Sequence, residues 1–178
     1  KKKKKRYKMS QTQVERLFIK DRTVVGAKVF RMTATNQTSG GYITSNWESD
    51  DSPAAGAFGT TTVTVSSGVF SFTKTGLYRI TFHTSAYINN ESRYVGSQII
   101  FTNDNSNYND EMTAAYDNIS GDTSNNYWSH TSSTCIADIT DTTNQKCKMY
   151  IDADATPYFQ GSSDINYTYV MFERLGET

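Results

Sequence analysis

The sequence predicts an all-β protein, an antiparallel jelly-roll sandwich, on three observations. Residues 68–83 contain two runs in which apolar and polar side chains alternate, joined by a short turn around residues 74–76. Tyr, Phe, Thr, Ser and Asn are abundant while Pro occurs only twice, which favours short strands and polar loops over helices. Further short apolar runs follow at regular spacing. They bring the total to roughly eight to ten strands, which suits a jelly roll.

The amino-terminal elements are predicted as follows. Residues 9–22 have apolar side chains at helical spacing, which predicts one or two amphipathic turns that could anchor the domain or pack on it. Polar and small residues then separate three short apolar segments. The predicted strands span residues 23–35, 42–47 and 61–66.

Residues 68–83 predict two strands with one aromatic face each. Phe70 and Phe72 lie on one face of the first run, and Tyr78, Ile80 and Phe82 share a face of the second. Period-two alternation of this kind buries one face of each strand.

Beyond this pair, polar loops at residues 103–110 and 118–126 separate the remaining elements. The predicted strands span residues 94–102, 112–116, 127–140, 145–151 and 166–175. The third and fourth of these form a predicted hairpin that contains both cysteines, Cys135 and Cys147. A disulfide would require the two cysteines to lie directly opposite each other across the hairpin. We favour two buried free thiols, as expected for assembly in a reducing cytoplasm.

Two segments resemble a known family. The run GVF, a turn ending in Gly76, and LYRITF resemble the central part of the globular-head domain of complement C-one-q and its tumour-necrosis-factor relatives. NYTYVMFERL at residues 166–175 is similar to the last strand of that domain, as found in marine phage proteins. Residues 135–151 occupy the position of the family's long hairpin. The resemblance covers roughly residues 60–178 and implies the jelly-roll fold of this family.

The resemblance also implies a homotrimer in which three jelly rolls meet along aromatic strand faces. In the last strand, Tyr167, Tyr169 and Met171 alternate with Val170 and Phe172, so both faces are expected to be buried, one in the sandwich and one at the three-fold contact. The residues predicted to form the core face or the trimer face are Phe70, Phe72, Tyr78, Ile80, Phe82, Tyr167, Tyr169 and Met171.

Charge divides the chain into a basic arm and an acidic body. Seven of the 18 Lys and Arg residues precede residue 9, which leaves 11 basic against 18 acidic residues in the rest. We predict an arm at 1–22 and a head domain at 23–178. The arm could bind nucleic acid, dock on another virion protein, or remain a solvated run. Its basic residues are Lys1, Lys2, Lys3, Lys4, Lys5, Arg6 and Lys8.

The sequence offers little for catalysis or cofactor binding, and we predict a non-enzyme without a cofactor. His83 and His130 have no neighbours at ligand spacing, and Asp50 and Asp51 are carboxylates in a polar loop. Calcium is a weak candidate at 103–111, where oxygen ligands crowd one loop without the EF-hand spacing. Its candidate ligands are Asp104, Asp110 and Glu111, and a plain hydrophilic loop is the simpler interpretation.

Aromatic residues in polar loops suggest binding instead. Tyr108, Tyr116, Tyr127 and Trp128 stand among Asn, Ser and Thr, a chemistry suited to sugars and protein surfaces.

From the resemblance we expect a phage virion protein: a trimeric head of a tail fibre, capsid fibre or decoration that attaches to a host-surface glycan or protein. It would be made in the host cytoplasm and would not enter a membrane, since no run of about 18 apolar residues occurs. The alternative is a small-virus capsid protein, with the basic arm on packaged nucleic acid. A secreted complement-like domain would call for a signal peptide and usually a collagen stem, and neither is found in this sequence.

Overall fold

The structure, a computed structural model, describes residues 24–49, 57–59 and 63–178. These residues form strands in two antiparallel sheets packed face to face, which confirms the predicted all-β sandwich. The strands are β1 (Gly26–Met32), β2 (Asn36–Gln37), β3 (Gly40–Tyr42), β4 (Trp47–Ser49), β5 (Ala57–Gly59), β6 (Val63–Ser66), β7 (Val69–Phe72), β8 (Gly76–Ile88), β9 (Ser92–Thr102), β10 (Asp110–Ile119), β11 (Tyr127–Ile139), β12 (Lys146–Ala153), β13 (Tyr158–Phe159) and β14 (Tyr169–Gly176). None of the described ranges contains a helix long and apolar enough to cross a membrane.

The first sheet is built around β8. β11 pairs with β8 along its whole length, while β14 and β13 share its other edge. β14 continues to β1, which pairs with β4 and β5, and β13 pairs with β2. The second sheet has β12 at its centre, with β9 and then β10 on one side and β7, β6 and β3 on the other.

Aromatic side chains from both sheets meet in the core. The fully buried ring of Phe70, on β7, lies 5.4 Å from Phe30, 5.3 Å from Trp47 and 5.2 Å from Phe172, measured between ring centroids. Phe72 continues the cluster to Tyr78 at 4.9 Å. Burying a side chain of this size stabilises the fold by about 1.5–3 kcal/mol, so this cluster is what holds the sheets together.

The turn at residues 73–75 carries the chain from the second sheet to the first. The hydroxyl of Tyr78 donates to the carbonyl of Lys74 at 2.9 Å, which ties the end of the turn to the new strand. Gly76 has φ 139°, and a Cβ at this position would lie 2.3 Å from the carbonyl oxygen of Gly176. Only glycine fits here, because the close approach of the last strand leaves no room for a side chain.

The strand predicted at residues 42–47 is wrong. β3 pairs with β12 in the second sheet, whereas β4 pairs with β1 in the first, so the chain crosses between the sheets in this segment. Asn46 adopts φ 62°, a left-handed conformation that ends the extended backbone. The apolar Ile43 fills the core during the crossing, which explains why the segment has the composition of a strand.

The predicted cysteine hairpin is also wrong. β11 belongs to the first sheet and β12 to the second, and residues 140–145 connect them across the end of the sandwich. Cys135 and Cys147 therefore project into the core from opposite sheets, and both are free, buried thiols, as predicted. Burial raises the pKa of Cys135 to about 11 and that of Cys147 well above its usual range, so both remain protonated at neutral pH.

Several other boundaries differ from the predictions. β10 has ten residues where a brief pairing was expected, and β2 and β13 lie in segments predicted to be loops. The basic arm at 1–22, with its helical turns, and the carboxylates Asp50 and Asp51 lie outside the described residues.

Candidate functional site

The most distinctive surface is the side of the first sheet that faces away from the core. Alternation along β8 and β11 buries every second side chain and directs the others outward. The register places the outward residues in rows across β14, β8 and β11. We call this surface the outer face; its residues are Leu77, Arg79, Thr81, His83, His130, Ser132, Thr134, Ile136, Asp138, Tyr169, Met171 and Glu173.

The outer face is a mixture of exposed apolar side chains and satisfied polar pairs. Ile136 is 54% exposed and Leu77 is 37% exposed. Arg79 donates to both carboxylate oxygens of Glu173, at 2.6 and 2.7 Å, and so forms a bidentate pair across two strands. This pair can be covered without leaving an isolated ion, whereas the exposed Asp138, opposite Leu77 on β11, would bring a further carboxylate into any contact.

Two histidines lie at one end of the outer face. The rings of His83 and His130 are stacked 6.0 Å apart, and the ring of Tyr169 lies 5.2 Å from His83 on the other side. Burial, and then the charge of His130, lower the pKa of His83 below its ordinary 6.5.

Stability is therefore expected to fall on mild acidification. The unfolded chain takes up a proton at His83 near its ordinary pKa, whereas the folded chain resists it until a lower pH, so the folded state loses stability as pH drops below about 6.5. Thermal unfolding at about pH 7.5 and about pH 5.5 should show this loss, and His83→Gln should reduce it. An equal loss in His83→Gln would assign the pH dependence to other groups.

Aromatic rings form a continuous stack beyond the histidines. Tyr87 lies between Trp128, at 4.5 Å, and Tyr158, at 5.1 Å, because the register places these three residues in one row. Trp128 is 49% exposed although it is large and apolar. An exposed aromatic surface held rigid by stacking is a typical contact surface for ligands.

A cleft of about 360 Å³ lies beside this stack, lined by Ser85, Trp128, His130, Gln160 and Tyr167. Ser85 is 1% exposed, and its Oγ has no hydrogen-bond partner. The Oε1 atom of Gln160 is likewise buried without a partner. Buried polar groups without a partner are costly in a folded protein.

Comparisons with known proteins agree with this architecture. No family model and no curated protein matches the chain. Among solved structures it is similar to Eiger TNF from S. frugiperda, with a TM-score of 0.56 and 11% identity over 85% of this chain and 93% of that one. It is also similar to murine APRIL at pH 8.5, with a TM-score of 0.53 and 9% identity over 84% of this chain and 98% of that one.

The chain has a tumour-necrosis-factor-like jelly-roll fold. Identities this low concern the fold alone, so the function has to be argued from the residues of this chain.

In this jelly roll the residues predicted for the core or trimer face separate into three groups. Phe70, Phe72, Tyr78, Ile80 and Phe82 lie in the core. The partly exposed Tyr169 and Met171 belong to the outer face, whereas Val170 and Phe172 face the core. Tyr167 precedes β14 and lines the cleft.

The four aromatic residues predicted to bind a ligand do not form one site. Trp128 lines the cleft, but its neighbour Tyr127 packs against the core because successive strand residues point to opposite faces. Tyr108 and Tyr116 lie with the second sheet: Nζ of Lys148 is 3.9 Å from the ring centroid of Tyr108, and the hydroxyl of Tyr116 accepts from Gln98.

The loop considered for calcium holds itself together without an ion. Asp104 accepts hydrogen bonds from Thr102, Ser106 and Asn107, which hold the pKa of its carboxyl well below the usual range. Asp110 accepts from Asn103. Glu111, the third candidate, is exposed at the start of β10. In the described ranges, no three His, Cys, Asp or Glu side chains are grouped as a metal site would require.

Sequence reasoning missed Tyr87, Ser85 and Gln160. β8 extends to Ile88, beyond the predicted end of this strand. Extending the alternation past His83 therefore predicts that the side chains of Ser85 and Tyr87 lie on the same face as that of His83. Gln160 follows the two-residue strand β13, and no sequence pattern indicates that it lies beside Ser85.

Proposed function

We propose that this chain is the non-enzymatic head domain of a homotrimer that attaches a phage particle to a host-surface glycan or protein. The observation that carries the proposal is the outer face. Ile136 and Leu77 are exposed there beside the partly exposed Met171 and Tyr169, on a sheet that offers no other cover within the described residues. An exposed strand face that mixes apolar side chains with polar groups is typical of an interface between protein chains.

Assembly around a three-fold axis would cover this face. In a ring of three chains each presents one patch to the next, and the ring closes without leaving an unpaired patch. The paired Arg79 and Glu173 can be enclosed in such a contact at lower cost than an isolated ion. The tumour-necrosis-factor-like fold and the aromatic last strand are consistent with this arrangement.

Trimerisation would serve attachment through avidity. Three linked binding sites hold a host surface that carries many copies of the ligand far more tightly than one site does, so each single contact can be weak. The basic residues before residue 9 would attach the head to other virion proteins, and the resemblance of residues 166–175 to marine phage proteins supports a place in a tail fibre, capsid fibre or decoration.

Solution mass tests this proposal against the capsid alternative. Light scattering with absorbance at two ultraviolet wavelengths, on chains with and without residues 1–8, should give a nucleic-acid-free particle of about three times 20.0 kDa in both cases. A monomer at all concentrations would contradict the trimer. Large particles loaded with nucleic acid, formed only with residues 1–8, would establish a genome-packaging capsid protein instead.

A further inference from the structure

The cleft beside Trp128 lies at the edge of the outer face, where β8 and β11 meet the segments that flank β13 and β14. Its volume of about 360 Å³ falls at the lower end of the range of roughly 300–1,000 Å³ found for small-ligand pockets. A ligand of one or two rings therefore fits, whereas a folded partner could insert only a side chain.

Ser85 is held in place by its own backbone. Its N–H donates to Oγ1 of Thr168 at 3.3 Å, and its carbonyl accepts the N–H of Gln160 at 2.8 Å. These bonds fix Ser85 and Gln160 next to each other and leave the hydroxyl and Oε1 without partners. Both atoms are buried beneath the surface of the cleft, so a polar ligand would reach them by rotation of the two side chains and would then satisfy groups that are costly to leave unpaired.

The aromatic wall is equally rigid. Trp128 packs on Tyr87 with its ring tilted by 38°, and Tyr87 stacks on Tyr158, so neighbouring rings restrict the orientation of the indole before any ligand arrives. A flat apolar surface beside neutral hydrogen-bonding groups favours a ring that has an apolar face and hydroxyl groups on its edge. The cleft's lining, within the described residues, includes no Lys, Arg, Asp or Glu, and its one basic side chain is that of His130.

We propose that this cleft binds a neutral sugar ring of a glycan, stacked on Trp128, with its hydroxyl groups bonded to Gln160 Oε1 and Ser85 Oγ. The inference rests on the proposed attachment function and locates its ligand site. One hydroxyl of the sugar donates to Oε1 of Gln160, and a second exchanges a hydrogen bond with Ser85, which removes the cost of both unpartnered atoms. The residue that sequence reasoning selected, Trp128, is retained, while Tyr108 and Tyr116 are excluded because they lie with the other sheet.

Nuclear magnetic resonance on the full-length ¹⁵N-labelled protein tests the proposal, using methyl glycosides of glucose, galactose, mannose and N-acetylglucosamine as probes. The indole N–H signal of Trp128 and the side-chain amide of Gln160 should shift with at least one of them. The indole of Trp47 is an internal control, because its N–H already donates to the carbonyl of Ile43 at 2.9 Å. Cyclohexanol should cause no shift, since it lacks the array of hydroxyls.

Two serines provide a matched pair of variants. Ser85→Ala should weaken binding of the glycoside by roughly three- to tenfold, the effect of one lost hydrogen bond, and raise Tm by about 2–4 °C because a costly unpartnered hydroxyl is removed. Ser133→Ala also removes a buried, unpartnered hydroxyl, on the core side of β11. It should raise Tm by a similar amount and leave sugar binding unchanged. Trp128→Ala should abolish binding.

Light scattering on the same samples separates this proposal from the one it rests on. A trimer whose Trp128 signal responds to none of the glycosides overturns the sugar site alone, and a monomer that binds a glycoside overturns the assembly alone. Dissociation of the trimer in Trp128→Ala would show that a side chain of a neighbouring copy fills the cleft, which also overturns the sugar site. Equal weakening of binding in Ser85→Ala and Ser133→Ala would contradict the assigned contacts.

Discussion

Ile136→Lys is expected to convert the proposed trimer into folded monomers. Ile136 is 54% exposed in the single chain and lies opposite Arg79 on the outer face, so a lysine there adds a second positive charge to the proposed contact. Each chain would lose about 2 kcal/mol of apolar burial and would have to desolvate an ammonium beside Arg79 at a cost of several kcal/mol more. Three such contacts should leave no trimer at micromolar concentration.

Met112→Lys is the matched control, because Met112 is also an exposed apolar residue, 44% exposed, but lies on β10 in the other sheet. Sedimentation velocity over a range of protein concentrations should show a monomer for Ile136→Lys and an unchanged assembly for Met112→Lys. Circular dichroism should show the same strand content in both. A persistent trimer in Ile136→Lys, or dissociation in Met112→Lys, would place the contact elsewhere.

The alternation of side chains along a strand predicts which way each residue points. Alternation predicts the buried and outward positions of residues 68–83, and in the structure Phe70, Phe72, Tyr78, Ile80 and Phe82 lie in the core. The same alternation placed Val170 and Phe172 on the face opposite Tyr169 and Met171. Successive side chains of a strand point to opposite faces because of backbone geometry alone. The face of each residue can therefore be predicted without knowing which strands pair with it.

Alternation does not specify which strand a segment pairs with. The pattern predicts one hairpin that contains Cys135 and Cys147, yet their strands belong to different sheets. Two strands that face the same core from opposite sides have the same pattern as two strands of a hairpin. The connection at residues 140–145 is held by the side chains of Asp141 and Gln145, which accept bonds from its own backbone, and such local bonds suit either a hairpin or a crossing.

The candidate site depends on the same long-range pairing. The sequence indicates Trp128 as an aromatic residue beside polar ones. The ring that packs against it, Tyr87, belongs to another strand. Gln160 lies beside Ser85 only because β13 pairs with β8. These contacts join residues more than forty positions apart in the sequence. Composition near Trp128 therefore indicates a binding chemistry but not the members of the site.

Phe70→Ala should produce the largest loss of stability. The ring is fully buried and touches Phe30, Trp47 and Phe172, so truncation removes the main contact between the two sheets. The expected cost is about 3–5 kcal/mol, against a total of about 5–15 kcal/mol for a typical domain. Phe70→Leu, which keeps most of the volume, and Ile165→Ala, at a residue that is 52% exposed, should cost much less.

The measurement is best made in the Ile136→Lys background, since association stabilises the folded state and makes Tm depend on protein concentration. Urea unfolding of Ile136→Lys alone and with Phe70→Ala then gives the cost of the cavity in a single chain. Phe70 faces the core from the second sheet and Ile136 faces away from the core on the first, with no shared contact. Their effects on the folded monomer should therefore add to within about 0.5 kcal/mol. A cost below about 1 kcal/mol for Phe70→Ala would mean that the aromatic cluster does not hold the sheets together.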